Sequence, residues 1–160
     1  MPPAGVLRRS ILSQIRVISI LMIVHGSILL LIGLLFIACA MFLPSLLVAQ
    51  NKELQQPGGP TPEQMNTILL ATYGVMGAAG ILPGFLQIFA GVSNLRLRGR
   101  VLGIIALLSG LVGIATCYCF PTSLGLCIYG LVIYFNESSV NAFALAAQGT
   151  TIREIEQMAN

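Results

Sequence analysis

The chain has 160 residues, 56% hydrophobic and only 8% charged, with a mean hydropathy of +0.92 and a formal net charge of +3. Soluble domains carry roughly 25% charged residues, so this composition excludes an ordinary globular enzyme and points to a chain solvated by lipid. A hydrocarbon core of ~30 Å takes about 20 helical residues per crossing, so the length predicts four spans with no separate catalytic domain.

Residues 6–16 interleave Val6, Leu7, Ile11, Leu12 and Ile15 with Arg8, Arg9, Ser13, Gln14 and Arg16, which predicts an amphipathic lead-in at the membrane surface. The first transmembrane helix follows at 17–47. Its apolar run over 17–43 makes roughly 40 Å of helix, longer than the hydrocarbon core, so it tilts or protrudes. Ser19, Gly26, Gly33 and Ala40 recur at heptad spacing and mark its inward face. Ala38-Cys39-Ala40 spells a signal-peptidase site, but the run far exceeds the roughly 7–15 residues of a signal core and reads as an uncleaved span.

Residues 48–61, with Pro57-Gly58-Gly59-Pro60, read as a solvated external loop. Thr61-Pro62-Glu63-Gln64 has the form of a helix start, Thr61 as N-cap and Gln64 closing a capping box. The second transmembrane helix covers 62–94, with a kink expected where Pro83 adjoins Gly84. A basic turn through Arg96, Arg98 and Arg100 leads to the third helix at 100–120. Pro121 turns the chain outside the membrane into the fourth helix, 122–148, which runs past Asn136-Glu137 as a cytoplasmic extension until Gly149 ends it. Residues 149–160 read as a brief amphipathic helix at the surface or as a frayed end.

Small residues dominate one face of each central helix. Gly77, Gly80, Gly84, Gln87 and Gly91 share a face of the second, and Gly99, Gly103, Ala106, Gly110, Gly113 and Cys117 a face of the third. Folded back on each other, they pair as 91/103, 87/106, 84/110, 80/113 and 77/117. Helix association in lipid rests on close van der Waals packing, so this spacing predicts a zipper between the second and third helices. Arg8, Arg9, Arg16, Arg96, Arg98 and Arg100 fall on one side and Lys52 on the other, which puts both termini in the cytoplasm. The expected fold is an all-α membrane protein, a single domain of four transmembrane helices in two antiparallel hairpins.

Candidate chemistry is sparse. His25 is the sole histidine and the chain has no Asp, so no carboxylate within a span can serve it in a proton relay. It reads as a packed, hydrogen-bonded histidine, with a ligand or proton-linked role as the alternative. Gln87 reads as polar glue aimed at Ala106 and Gly110. Cys39, Cys117, Cys119 and Cys127 read as small apolar filler, with a Cys119–Cys127 disulfide or a redox role as the alternatives. Glu137 is expected to pair with Arg98 or Arg100. No catalytic set, phosphate loop, metal cluster, cofactor site or nucleic-acid site is legible.

Gly91, Arg98-Gly99-Arg100, Phe120-Pro121, Ile128-Tyr129-Gly130-Leu131 and Phe143 together resemble a module of small uncharacterised bacterial four-span membrane proteins. The resemblance covers residues 85–143 and lacks the aromatic residue usual in the Arg turn. It implies the same topology in a bacterial inner membrane. Because those proteins have no assigned activity, it implies no function. The function expected from the sequence is a non-catalytic accessory or structural subunit among membrane lipids, packing with itself or a larger complex. Gly26, Gly33, Cys127 and Gly130 are the small residues offered as spare packing faces for that role. The rival reading is a small transporter or channel hinged at Pro83, and a third is a membrane redox enzyme using the outer-leaflet cysteines.

Overall fold

A computed structural model describes residues 9–50, 61–111 and 120–158. The elements are α1 (Arg9–Gln50), α2 (Pro62–Leu95), α3 (Arg100–Gly110), α4 (Phe120–Phe135), α5 (Glu137–Ala147) and α6 (Ile152–Met158). Among the described residues there is no strand. With 42 and 34 residues, α1 and α2 are about 63 and 51 Å long, and both are long and apolar enough to cross a membrane. The described α3 and α4 are short, at 11 and 16 residues. Residues 112–119, which complete the expected third span, lie outside the described residues, as do Lys52 and most of the expected loop.

Local chemistry sets the helix ends. Thr61 caps α2 as its sequence predicts: its hydroxyl accepts from the Gln64 amide while the Gln64 side chain accepts from the Thr61 amide. At the other end of α2 the Leu97 amide bonds the Asn94 carbonyl and the Arg98 amide the Ser93 carbonyl, a Schellman closure. The left-handed position of that motif usually belongs to glycine, yet here Leu97 occupies it with φ +52°. Left-handed backbone costs a non-glycine residue about 1–2 kcal/mol; Leu97 is buried, and burying a leucine contributes about 1.5–3 kcal/mol in return. The same closure ends α5, this time with Gly149 at φ +93°.

The central hairpin is α1 against α2, and here the expected zipper is corrected. The glycines of α2 face α1 and not α3: a methyl group built on Gly84 would meet the Gly26 carbonyl oxygen at 2.8 Å, one on Gly77 Gly33 O at 3.0 Å, and one on Gly91 Ser19 O at 2.7 Å. Gly80 likewise lies against the Gly33 backbone. The reason is that α1 offers Gly26 and Gly33 seven residues apart, so two smooth stripes meet, whereas α3 meets the amide-bearing side of α2. The pairs 91/103 and 84/110 do not form; those with Gly113 and Cys117 lie outside the described residues. Phe36 and Tyr73, stacked at 5.8 Å between centroids, join the two helices further along.

Four further expectations are revised. Residues 9–16 are the opening turns of α1 and not a separate lead-in, because Ile11, Ile15 and Ile18 continue its buried face; residues 6–8 lie outside the described residues. The fourth helix does not run through to 148. It breaks at Asn136, whose extended backbone and side-chain bond to the Ser138 amide start α5 afresh. Gly26, Gly33, Cys127 and Gly130 are buried within the chain, Gly130 against Leu107, and so offer no spare faces. The tail is not peripheral either: Ile155 on α6 is fully buried, and Ile152 lines a cavity of about 20 Å³ with Leu12, Ile15, Arg16, Asn94, Leu95 and Leu97. The start of α1, the end of α2 and α6 therefore meet at one end of the molecule.

Two predictions test this packing. Gly33→Val or Gly84→Val should lower thermal stability in detergent by about 1–3 kcal/mol through overpacking. Gly74→Ala, with open space around its position, should be neutral or stabilise by up to about 1 kcal/mol. The second concerns Glu154, which accepts from the Thr151 amide at 2.8 Å and is held below the usual carboxylate range by the Thr151 backbone and hydroxyl. A depressed folded-state pKa means that this cap is in place at neutral pH and is lost as pH falls through that pKa. Protection of the α6 amides against exchange, relative to the unstructured chain at the same pH, should fall in acid, and Glu154→Gln should remove that fall.

Candidate functional site

Seven residues apart on α2, Gln87 and Asn94 lie about 10 Å from each other along one side of the helix. Both are buried. A Cβ on Gly110 would collide with the Gln87 amide, and one on Gly103 with the Asn94 amide. The α3 glycines are thus sockets for amides. Gln87 points at Ala106 and Gly110 as its spacing predicts, but the register, 94/103 and 87/110, is one helical turn away from that of a glycine-to-glycine pairing.

Around Gln87 four helices are joined. His25 of α1 lies with Nδ1 2.7 Å from Gln87 Oε1 and Nε2 3.1 Å from Ser123 Oγ of α4. Gln87 Nε2 points to the Ala106 carbonyl of α3 at 3.5 Å. That turns the amide oxygen toward the histidine, so Nδ1–H donates to Gln87, and Nε2 accepts from the Ser123 hydroxyl. Both ring nitrogens are satisfied, and His25, Gln87 and Ser123 are all buried. The order Ser, His, amide is also that of a nucleophile, a base and its orienting group. Here Ser123 is 4% exposed, and a substrate carbonyl would have to part the helices to reach its Oγ.

Around Asn94 the second cluster forms. Asn94 Nδ2 donates to the Tyr134 hydroxyl at 2.7 Å, which donates on to Met22 Sδ at 3.6 Å. Ser19 Oγ donates to the Ile15 carbonyl of its own helix. Asn94 Oδ1 and Ser139 Oγ are buried without a partner, and Asn94 borders the small cavity at the end of the bundle. A void of that size has room for one water.

Of the residues singled out in the sequence, His25 and Gln87 come together. Ser123 completes their string and was missed because the Pro121 turn is expected outside the membrane. Its contact with His25, only about 14 Å along α1 from Arg16, places the start of α4 well inside the apolar stretch. The Glu137 ion pair is also corrected: among the described residues no salt bridge joins Glu137 to Arg98 or Arg100. Arg100 Nε instead donates to the Tyr134 carbonyl at 2.8 Å, with its guanidinium 5.8 Å from the Phe135 ring centroid. Glu137 lies in the first turn of α5, where the helix dipole favours its charge. Cys39 is half-buried and Cys127 buried, both with free thiols; Cys117 and Cys119, and with them the expected disulfide, lie outside the described residues. Among the described residues no three His, Cys, Asp or Glu side chains group to hold a metal.

No known protein family, curated protein or solved structure matches the chain.

A double-mutant cycle of His25→Leu and Gln87→Leu in detergent should give a coupling of about 0.6–1.7 kcal/mol, the range for hydrogen bonds between transmembrane helices. Each single variant leaves a buried polar group unpaired and should cost about 1–3 kcal/mol. Strictly additive losses would show that the two side chains do not bond.

Proposed function

We propose that this chain is an integral membrane protein acting as a non-catalytic accessory or structural subunit. In this reading α1 and α2 cross the bilayer as an antiparallel pair. The described part of the α3–α4 hairpin enters from the side that carries the arginine turn and reaches part-way along the long pair, where Ser123 meets His25 about 14 Å along α1 from Arg16. Both termini share that side, the cytoplasmic one by the distribution of positive charge.

The membrane reading is supported by the apolar surface of the long hairpin, where Leu31, Met41, Val75 and Leu82 are 65–71% exposed. Such a surface is stable only against lipid or another apolar partner. One observation carries the choice of role. The polar side chains of the central string are spent on each other: both nitrogens of His25 and both ends of the Gln87 amide are directed at protein atoms. A conduit or carrier needs polar groups that exchange partners with a passing solute, whereas a fixed scaffold needs them satisfied. The proposed partners are membrane lipids and either further copies of this chain or a larger membrane complex.

The test is reconstitution of the purified chain in vesicles. Resistance to alkaline extraction, no ion or solute flux above that of empty vesicles, and subunit counts above one per assembly or a defined complex in native membranes are the results expected. Flux that is abolished by His25→Gln would establish the transporter reading, and extraction by alkali would overturn the membrane reading.

A further inference from the structure

The charges of the described residues are unevenly placed. Arg16 on α1, Arg96 and Arg98 in the turn after α2, and Arg153 on α6 flank or line the small cavity where Leu12, Leu97 and Ile152 meet. At the far end of the hairpin the described charge is Glu63, in the first turn of α2. Of the acids near the basic end, Glu154 accepts from the Thr151 amide and Glu137 lies in the first turn of α5, while α6 also carries Glu156, so the four arginines outnumber the three acids.

The turn bearing Arg96 and Arg98 is held rigidly. Leu97 between them is buried in left-handed backbone, so its neighbours on both sides are forced outward, and both are exposed. Ser93 Oγ donates to the Arg98 carbonyl at 2.5 Å, and Arg100 is pinned by the Tyr134 carbonyl and the Phe135 ring. Two guanidinium groups are thereby presented from a backbone that has already lost its freedom, which lowers the cost of binding an anion. An apolar side chain driven inward between two cations turned outward is the arrangement of a membrane–water boundary, where arginine heads reach phosphate while their stems stay in apolar surroundings.

We propose that this end of the molecule binds the phosphate headgroups of anionic phospholipids, with Arg96 and Arg98 as the principal contacts and Arg16 and Arg153 flanking them. The proposal rests on the membrane reading above and adds a lipid class to it.

The test uses the full chain in nanodiscs of phosphatidylcholine alone and of phosphatidylcholine with added phosphatidylglycerol. The lipids that stay with the protein are counted by native mass spectrometry. Phosphatidylglycerol should be enriched over its share of the disc. The pair Arg96→Gln and Arg98→Gln should cut that enrichment roughly thirtyfold, at about 1 kcal/mol per arginine near an anionic surface. Arg96→Lys with Arg98→Lys should keep most of it, and added salt should weaken it. An unchanged melting temperature of the glutamine pair in pure phosphatidylcholine separates lost binding from lost folding. Displacement of the lipid by inorganic phosphate, or an enrichment that the glutamine pair leaves unchanged, overturns the headgroup proposal. Equal retention of both lipids by a chain that enters the discs overturns it while leaving the membrane reading intact. Failure to enter either disc overturns both.

Discussion

The contact between α1 and α2 decides the rest of the arrangement. Gly26 and Gly33 lie against Gly84, Gly77 and Gly80 so closely that a single methyl group would meet backbone atoms at or near 3 Å. Two backbones at that separation gain dispersion contacts along their length and leave no room for anything between them. Once α2 has turned its smooth side to α1, its other sides are assigned as well. Gln87 and Asn94 face α3, where Gly110 and Gly103 leave space for their amides. The amides in turn fix where His25, Ser123 and Tyr134 must come, because a buried amide without a partner costs about 1–3 kcal/mol. One packing choice thus propagates into a hydrogen-bond pattern that joins α1, α2, α3 and α4.

Much of the fold is legible from local signals. The capping box at Thr61, the closure at Gly149 and the long apolar runs of α1 and α2 each depend on residues near one another in sequence. The partner of the α2 glycines is a different kind of question. Small residues line one face of α1 at intervals of seven and of α2 and α3 at intervals of three and four, and spacing says only that a face is smooth, not which of two smooth faces it meets. Volume decides that: α2 carries two amides at its α3 side, and these need the empty sockets that a glycine-to-glycine pairing would have closed.

The candidate site was half visible for the same reason. His25 and Gln87 stand out as the polar residues of apolar helices. Ser123, three residues from a helix start, looks like any turn residue. Its role depends on how deep α4 begins, and depth is set by the tertiary contact with His25. Leu97 gives the opposite lesson. A leucine in a left-handed turn is locally unfavourable, and it is reconciled with the sequence only by the cavity-lining contacts that α1, α2 and α6 provide together.

The mismatch between the long α1–α2 pair and the short described α3 and α4 has a mechanical consequence. Among the described residues, about 51 Å of paired helix is braced on its flank over the turns near Asn94 and Gln87, and the portion around Phe36 and Tyr73 is a two-helix arm. Such an arm resists bending along the plane containing both helices and yields across it. Set in bilayers of differing thickness, it would lean in one preferred direction, with the histidine-centred string as its fulcrum.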